Sequence, residues 1–201
     1  MQLRHLKSAL LILVTACGGG ESGPQFAYVT NGVADFWTNA AAGALAGGEE
    51  YGGDVTVLMP AGGITDQKNQ VEDLITKGVA GIAISPIDPA NQAELINKAA
   101  AQTKVITHDS DAPGTDRIAY IGMDIYFAGR MCGELVKEAI PEGGKFAIFI
   151  GRLEQDNARR RRQGGIDGAF DRPNDPDRND APDAQITSED GKFQLIGTYT
   201  D

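Results

Sequence analysis

Polar and aromatic side chains gather at a few points along this chain, each just after a short apolar run. FAYVT is followed by Asn31 and the pair Phe36 and Trp37. GIAIS ends on Ser85 and leads to Asp88, and KVITH ends on His108 and leads to Asp109, Ser110 and Asp111. Such a set suits a carbohydrate-like molecule: an aromatic ring stacks on apolar C–H faces, while carboxylates and amides exchange hydrogen bonds with hydroxyls. On that reading Trp37 stacks and Asp109 accepts. Structural readings compete with it. Phe36 and Trp37 also suit the start of a helix packed on a sheet, Asp109 suits a helix cap or a solvated loop, and His108 suits a strand end bonded to a loop carbonyl.

The run Arg159 to Arg162 looks like a patch for nucleic acid or heparin. On a helix, however, four consecutive residues fan through about 300°, so at most one or two reach a common cleft. One such arginine forks two donors onto vicinal hydroxyls or a carboxylate, and the others stay solvated or pair with nearby acids.

Other chemistries are disfavoured. The glycines after VTVLM read PAGG and those after FAYVT read NGVADF, neither of which is a phosphate loop. No Ser-His-Asp or Cys-His spacing provides a nucleophile, so no enzyme is expected. The formal net charge of -10 disfavours a nucleic-acid partner. Asp175, Asp177 and Asn179 look like calcium ligands, but Asp180 and Ile186 replace the glycine and the glutamate of an EF-hand loop. Neither metal nor cofactor is expected. Cys132 has no partner cysteine beyond Cys17 and reads as a small buried hydrophobe on a helix.

The elements that position these residues alternate. Strand-like runs FAYVT, VTVLM, GIAIS, KVITH and RIAYIG are separated by helical stretches at 36–50, 65–77 and 90–101. The second of these puts Val71, Leu74 and Ile75 on one face, with Thr65 as cap and Gly78 as stop. A helix at 126–139, a strand at 145–151, a basic helix at 155–170 and the run FQLIGTYT follow. The Pro- and Asp-rich stretch 171–190 is expected to be a solvated loop. Strands apolar on both faces imply a doubly wound parallel α/β sheet with right-handed crossovers. In such a sheet ligands lie beyond the carboxyl ends of the strands, where the polar clusters fall.

The N-terminus carries a different signal. Arg4, His5 and Lys7 precede the apolar run ALLILVTA at 9–16, and Cys17 follows at once. This is export-signal architecture, too short for the roughly 20 residues of a membrane-spanning helix. VTAC resembles a bacterial lipobox, so residues 1–16 are expected to be a lipoprotein signal peptide. Cys17 is then the lipid-attachment site and 17–24 a flexible tether, with contact to the membrane only through the anchor.

The motifs TNGVADFW, GIAISPID, VITHDSD, YIGMDIYFAGRMCGEL and NARRRRQGGIDG, in this order, resemble the type I periplasmic binding proteins of the ribose-binding family across residues 25–201. The resemblance implies two lobes that close on a small solute, with ligand contacts at Asn31, Phe36, Trp37, Asp109 and Arg161. Ser85 and Ser110 join the set by position. Arg161 precedes Gly164 by three residues, and Arg162, the alternative, precedes Gly165 by three. The crossing between lobes is expected near Met123 and Asp124, giving a first lobe at 25–123 and part of a second at 124–201. Ile125 stands where the family's asparagine is usual, Gly165 where an aromatic is, and Ser110 where ribose binders carry arginine.

The implied function is capture of a monosaccharide or polyol by a monomeric solute-binding protein for the membrane permease of an ABC importer. A ligand-binding subunit for a sensor kinase or chemoreceptor is the alternative. A transcriptional regulator core shares the fold but carries an N-terminal helix-turn-helix where this chain has a signal. The resemblance also implies that both lobes are incomplete and that a longer natural polypeptide exists, since roughly a hundred further residues are needed for two domain-sized lobes. Mass spectrometry of the natural protein should give a mass well above that of 201 residues. A mass matching 201 residues together with tight ligand binding would overturn this expectation.

Overall fold

A computed structural model describes residues 23–200. The expected signal segment and Cys17 lie outside the described residues. Two sheets follow one another along the chain. The first is built from β1 (Gln25–Val29), α1 (Asp35–Tyr51), β2 (Asp54–Leu58), α2 (Gly63–Lys77), β3 (Gly81–Ile84), α3 (Pro89–Ala100), β4 (Lys104–His108) and β5 (Ala119–Ile121). Its five strands lie parallel in the order β2-β1-β3-β4-β5. The second contains α4 (Ile125–Ala139), β6 (Gly144–Phe149), α5 (Asp156–Ala169), β7 (Ile186–Thr187) and β8 (Phe193–Tyr199), with strand order β6-β8-β7.

Alternation along the strands decides which helix covers which face. Ala27, Val29, Ile82, Ile84 and Val105 point one way and form a core with Val71 and Leu74 of α2 and Leu95, Ile96 and Ala99 of α3. Tyr28, Ala83 and Ile106 point the other way and line a cavity of about 700 Å³ with Ala40, Gly43 and Ala44 of α1. The segment Gly122–Asp124 joins the two sheets.

Several expectations need correction. Helix α2 begins before Thr65: Gly63 makes the turn at φ 69°, and the Asp66 carboxylate, in the first turn, accepts from the Gly62 N–H at 3.2 Å. The stop at Gly78 holds, with φ 68° and its N–H on the Ile75 carbonyl. Cys132 is exposed on α4 rather than buried. The stretch 171–190 lies at the surface but is bolted down. Ile186 and Thr187 pair antiparallel with β8. Arg162 donates to the carbonyls of Asp180 at 2.8 Å and Ala181 at 2.7 Å, and the fully buried Asp167 accepts from Arg178 at 2.7 Å. A segment with almost no apolar residues is thus held by ion pairs and carbonyl contacts, which hydrophobic patterning does not register.

Helices α4 and α5 cross at backbone contact because each carries glycines four residues apart. Built onto Gly129, a Cβ would lie 2.1 Å from the Arg161 carbonyl oxygen, and onto Gly164, 2.0 Å from that of Tyr126. Gly133 and Gly168 are equally closed, each meeting backbone at 2.4 Å. Gly165 is different, since its Cβ would meet only the Gly129 carbonyl, at 3.6 Å. It borders a cavity of about 260 Å³ shared with Phe146 and Cys132. Gly164→Ala should therefore cost about 3 kcal/mol or more by forcing the helices apart. Gly165→Ala should leave stability unchanged or raised, because alanine favours the helix. Thermal and urea denaturation of the two variants checks this, and equal effects would refute the crossing geometry.

Candidate functional site

The carboxyl ends of β1, β3 and β4 bring their polar residues into one hydrogen-bonded chain. The Trp37 Nε1–H donates to Asn31 Oδ1 at 3.1 Å, and Asn31 Nδ2–H donates to Ser85 Oγ at 3.1 Å. Ser85 Oγ–H then donates to Asp109 Oδ2 at 3.4 Å. From α5, across the cleft between the sheets, Asn157 Nδ2–H donates to the same oxygen at 2.9 Å. Asp109 itself sits in the left-handed region at φ 57°, which aspartate tolerates better than most residues. Its backbone N–H donates to the Ile121 carbonyl at 3.2 Å.

Six of the seven expected contact residues thus converge on one cleft: Phe36, Trp37, Asp109 and Arg161 line it, Ser85 bonds to Asp109, and Asn31 bonds to Ser85. Ser110 contributes differently, its backbone N–H donating to Ser85 Oγ at 3.4 Å while its own hydroxyl is buried. Phe36 and Trp37 divide the roles expected of them. Trp37 is only 5% exposed, edge-on to His108 at 5.6 Å and committed to Asn31, so it packs at the helix start instead of offering an open stacking face. Phe36, 61% exposed, offers that face.

The four arginines separate as the helical fan demands. Arg159 and Arg160 pair with Asp156 at 2.7 and 3.0 Å. Arg162 is buried and spent within its own lobe, its Nε–H on Thr198 Oγ1 at 2.7 Å. Arg161 lines the cleft with Asp109. Burial raises the pKa of the Asp109 carboxyl above its ordinary value, and the Arg161 charge, Ser85 and Asn157 pull it back. Two candidates from the strand-end clusters have structural roles. Asp88 caps α3 by accepting from the Asn91 N–H at 3.1 Å. Asp111 is gripped by Arg117, whose Nη2–H reaches its Oδ2 at 2.6 Å.

The sequence of residues 26–193 matches the family described as periplasmic binding protein domain. The chain belongs to that family. Solved structures agree in fold. A solute-binding protein of an ABC transporter from Burkholderia graminis, in complex with D-arabinose, superposes with a TM-score of 0.76 at 24% identity, over 90% of this chain and 57% of that one. One from Agrobacterium vitis with D-fucose gives 0.72 at 24% identity, over 88% and 57%. One from Mycobacterium smegmatis with glycerol gives 0.66 at 26%, over 75% and 53%. The chain therefore spans less than two thirds of the length of these relatives. They are solute-binding proteins, not enzymes. No curated protein matches the sequence at a significant level.

Within this periplasmic binding domain, two contributors escaped the sequence reading. Asn157 lies inside NARRRR, and its place four residues before Arg161, one helical turn, was the available signal. Gln67 had none. It is fully buried, donates to the carbonyls of Thr30 at 2.7 Å and Ser85 at 2.8 Å, and so fixes the loops after β1 and β3.

His108 bonds to a side chain rather than a loop carbonyl. Its ring stacks on Tyr28 at 4.3 Å, with Nδ1 3.3 Å from the Tyr28 hydroxyl. Burial lowers its pKa to about 4 from the ordinary 6.5, against a smaller upward pull from the carbonyls of Val29 and Ala83. The folded state therefore prefers the neutral ring. The associated stability is full above pH 6.5 and is lost as the pH falls to about 4, up to about 3 kcal/mol in all. Melting curves across this window should show the wild type losing stability more steeply than His108→Phe. Parallel curves would refute a buried neutral histidine.

Proposed function

We propose that the protein captures a neutral polyhydroxylated solute, a monosaccharide or polyol, between its two lobes and delivers it to the membrane permease of an ABC importer. The reading places it outside the cytoplasm, exported by residues 1–16 and tethered through a lipid on Cys17. The observation that carries it is Asp109, a half-buried carboxylate at the end of β4 that is met across the cleft by Asn157 and Arg161 of α5.

The chemistry follows from charge balance. Asp109 and Arg161 bring opposite charges to the cleft, so a neutral ligand leaves the pair balanced, whereas a charged one would bury an uncompensated charge. Hydroxyls both donate and accept, and can satisfy a carboxylate, an amide and a guanidinium together. Phe36 supplies an exposed ring for an apolar sugar face. Relatives of the same fold solved with D-arabinose, D-fucose and glycerol support the class of ligand.

Calorimetric titration of the full-length protein lacking residues 1–17 against pentoses, hexoses and polyols should find one that binds with a submicromolar Kd. Asp109→Ala and Asn157→Ala should each weaken that binding at least about tenfold, the loss expected for hydrogen bonds to a charged group. Phe36→Ala should weaken it less. Silence across the panel, or wild-type affinity in both Asp109→Ala and Asn157→Ala, would sink the proposal.

A further inference from the structure

Tyr120, near the end of the edge strand β5, stands between the cleft and the crossing that joins the lobes. Its hydroxyl donates to the backbone carbonyl of Asp109 at 2.9 Å and lies 3.4 Å from the carbonyl of Met123, within the crossing. Together with the bond from the Asp109 N–H to the Ile121 carbonyl at 3.2 Å, this fixes both backbone polar groups of Asp109 to one short stretch of chain. Tyr120 also borders two cavities, the cleft beside Asp109 and a second of about 590 Å³ lined by Asp124, Tyr126 and Asp156.

Gly122 makes room for this arrangement. A Cβ at that position would lie 2.1 Å from the Tyr120 hydroxyl, although Gly122 is not among the positive-φ residues and an alanine fits its backbone. The close approach of the hydroxyl accounts for the glycine where backbone conformation does not.

We infer that Tyr120 is a positioning residue: its hydroxyl holds Asp109 in the left-handed conformation that aims the carboxylate into the cleft, and links that conformation to the Gly122–Asp124 crossing. The inference rests on the proposed solute-binding role of Asp109 but has a consequence independent of any ligand. A phenol whose only proton is shared between a site backbone and a hinge backbone moves when the hinge moves. The carboxylate is then presented correctly only in one disposition of the crossing.

Two variants test this from opposite sides. Tyr120→Phe removes the hydroxyl and keeps the ring. Gly122→Ala keeps the hydroxyl and displaces it. Amide hydrogen exchange of the full-length, ligand-free protein should be about tenfold faster at Asp109 in both variants, with exchange at Ile84 and Val105 in the core and the melting temperature unchanged. Titration with D-arabinose and D-fucose should show about tenfold weaker binding by both variants of whichever sugar the wild type binds, the factor one lost hydrogen bond produces. Wild-type exchange at Asp109 in Tyr120→Phe overturns the inference, as does unchanged sugar affinity despite faster exchange. Faster local exchange in a protein that binds neither sugar upholds the positioning role and counts against the sugar reading alone.

Discussion

A carboxylate withdrawn from water at the end of β4 is the constraint on which the cleft depends. Burying Asp109 raises its pKa, and a buried charge persists only where hydrogen bonds and an opposite charge replace the lost water. The partners come from separate parts of the chain: Ser85 from the end of β3, Asn157 and Arg161 from α5. Satisfying one side chain therefore draws the two sheets together. Ser85 is itself held, accepting from Asn31 and from the Ser110 N–H, so the demand of a single carboxylate propagates to the indole of Trp37.

The second lobe answers that demand through its glycines. Because Gly129, Gly133, Gly164 and Gly168 let α4 and α5 meet at the backbone, the roll of α5 about its axis is fixed with little freedom. That roll decides which residues of the arginine run see the cleft. Asn157 and Arg161, one turn apart, face Asp109, while Arg162 turns inward to Thr198 and the carbonyls of Asp180 and Ala181. The Pro- and Asp-rich surface segment thereby acquires a structural role: its carbonyls satisfy the inward Arg162 while Arg161 lines the cleft.

Much of this was legible in the sequence because it follows from periodicity. Alternating strand-like runs and amphipathic helices gave the parallel sheet, and the carboxyl-end rule then located Asn31, Ser85 and Asp109 together. What escaped depends on third dimensions that no local pattern encodes. Gln67 looks like any polar residue on a helix, and only folding brings it against the carbonyls of Thr30 and Ser85. Trp37 and Phe36 are neighbours of similar character, and which one is buried depends on where α1 lands on the sheet. Cys132 was expected inside by residue type, yet the α4 face it occupies is exposed. The short strand β7 had too few residues to show a period.

The cross-cleft bond also shapes what binding can mean here. Asn157 donates to Asp109 Oδ2, so on the proposed function a solute entering between the lobes does not simply add contacts but competes with that hydrogen bond. Exchange of one hydrogen bond for another yields little net free energy. Affinity must then come from what the existing pair leaves unused: the buried Asn157 Oδ1, which has no partner among the described residues, the Arg161 guanidinium and the open face of Phe36. A single hydroxyl reaching only Asp109 gains nothing over Asn157. A molecule with neighbouring hydroxyls on a ring can bridge Asp109 and Asn157 at once, donating to both, and present an apolar face to Phe36. On the proposed function, the cross-cleft hydrogen bond is therefore itself a selectivity device that favours the vicinal diol over the isolated alcohol.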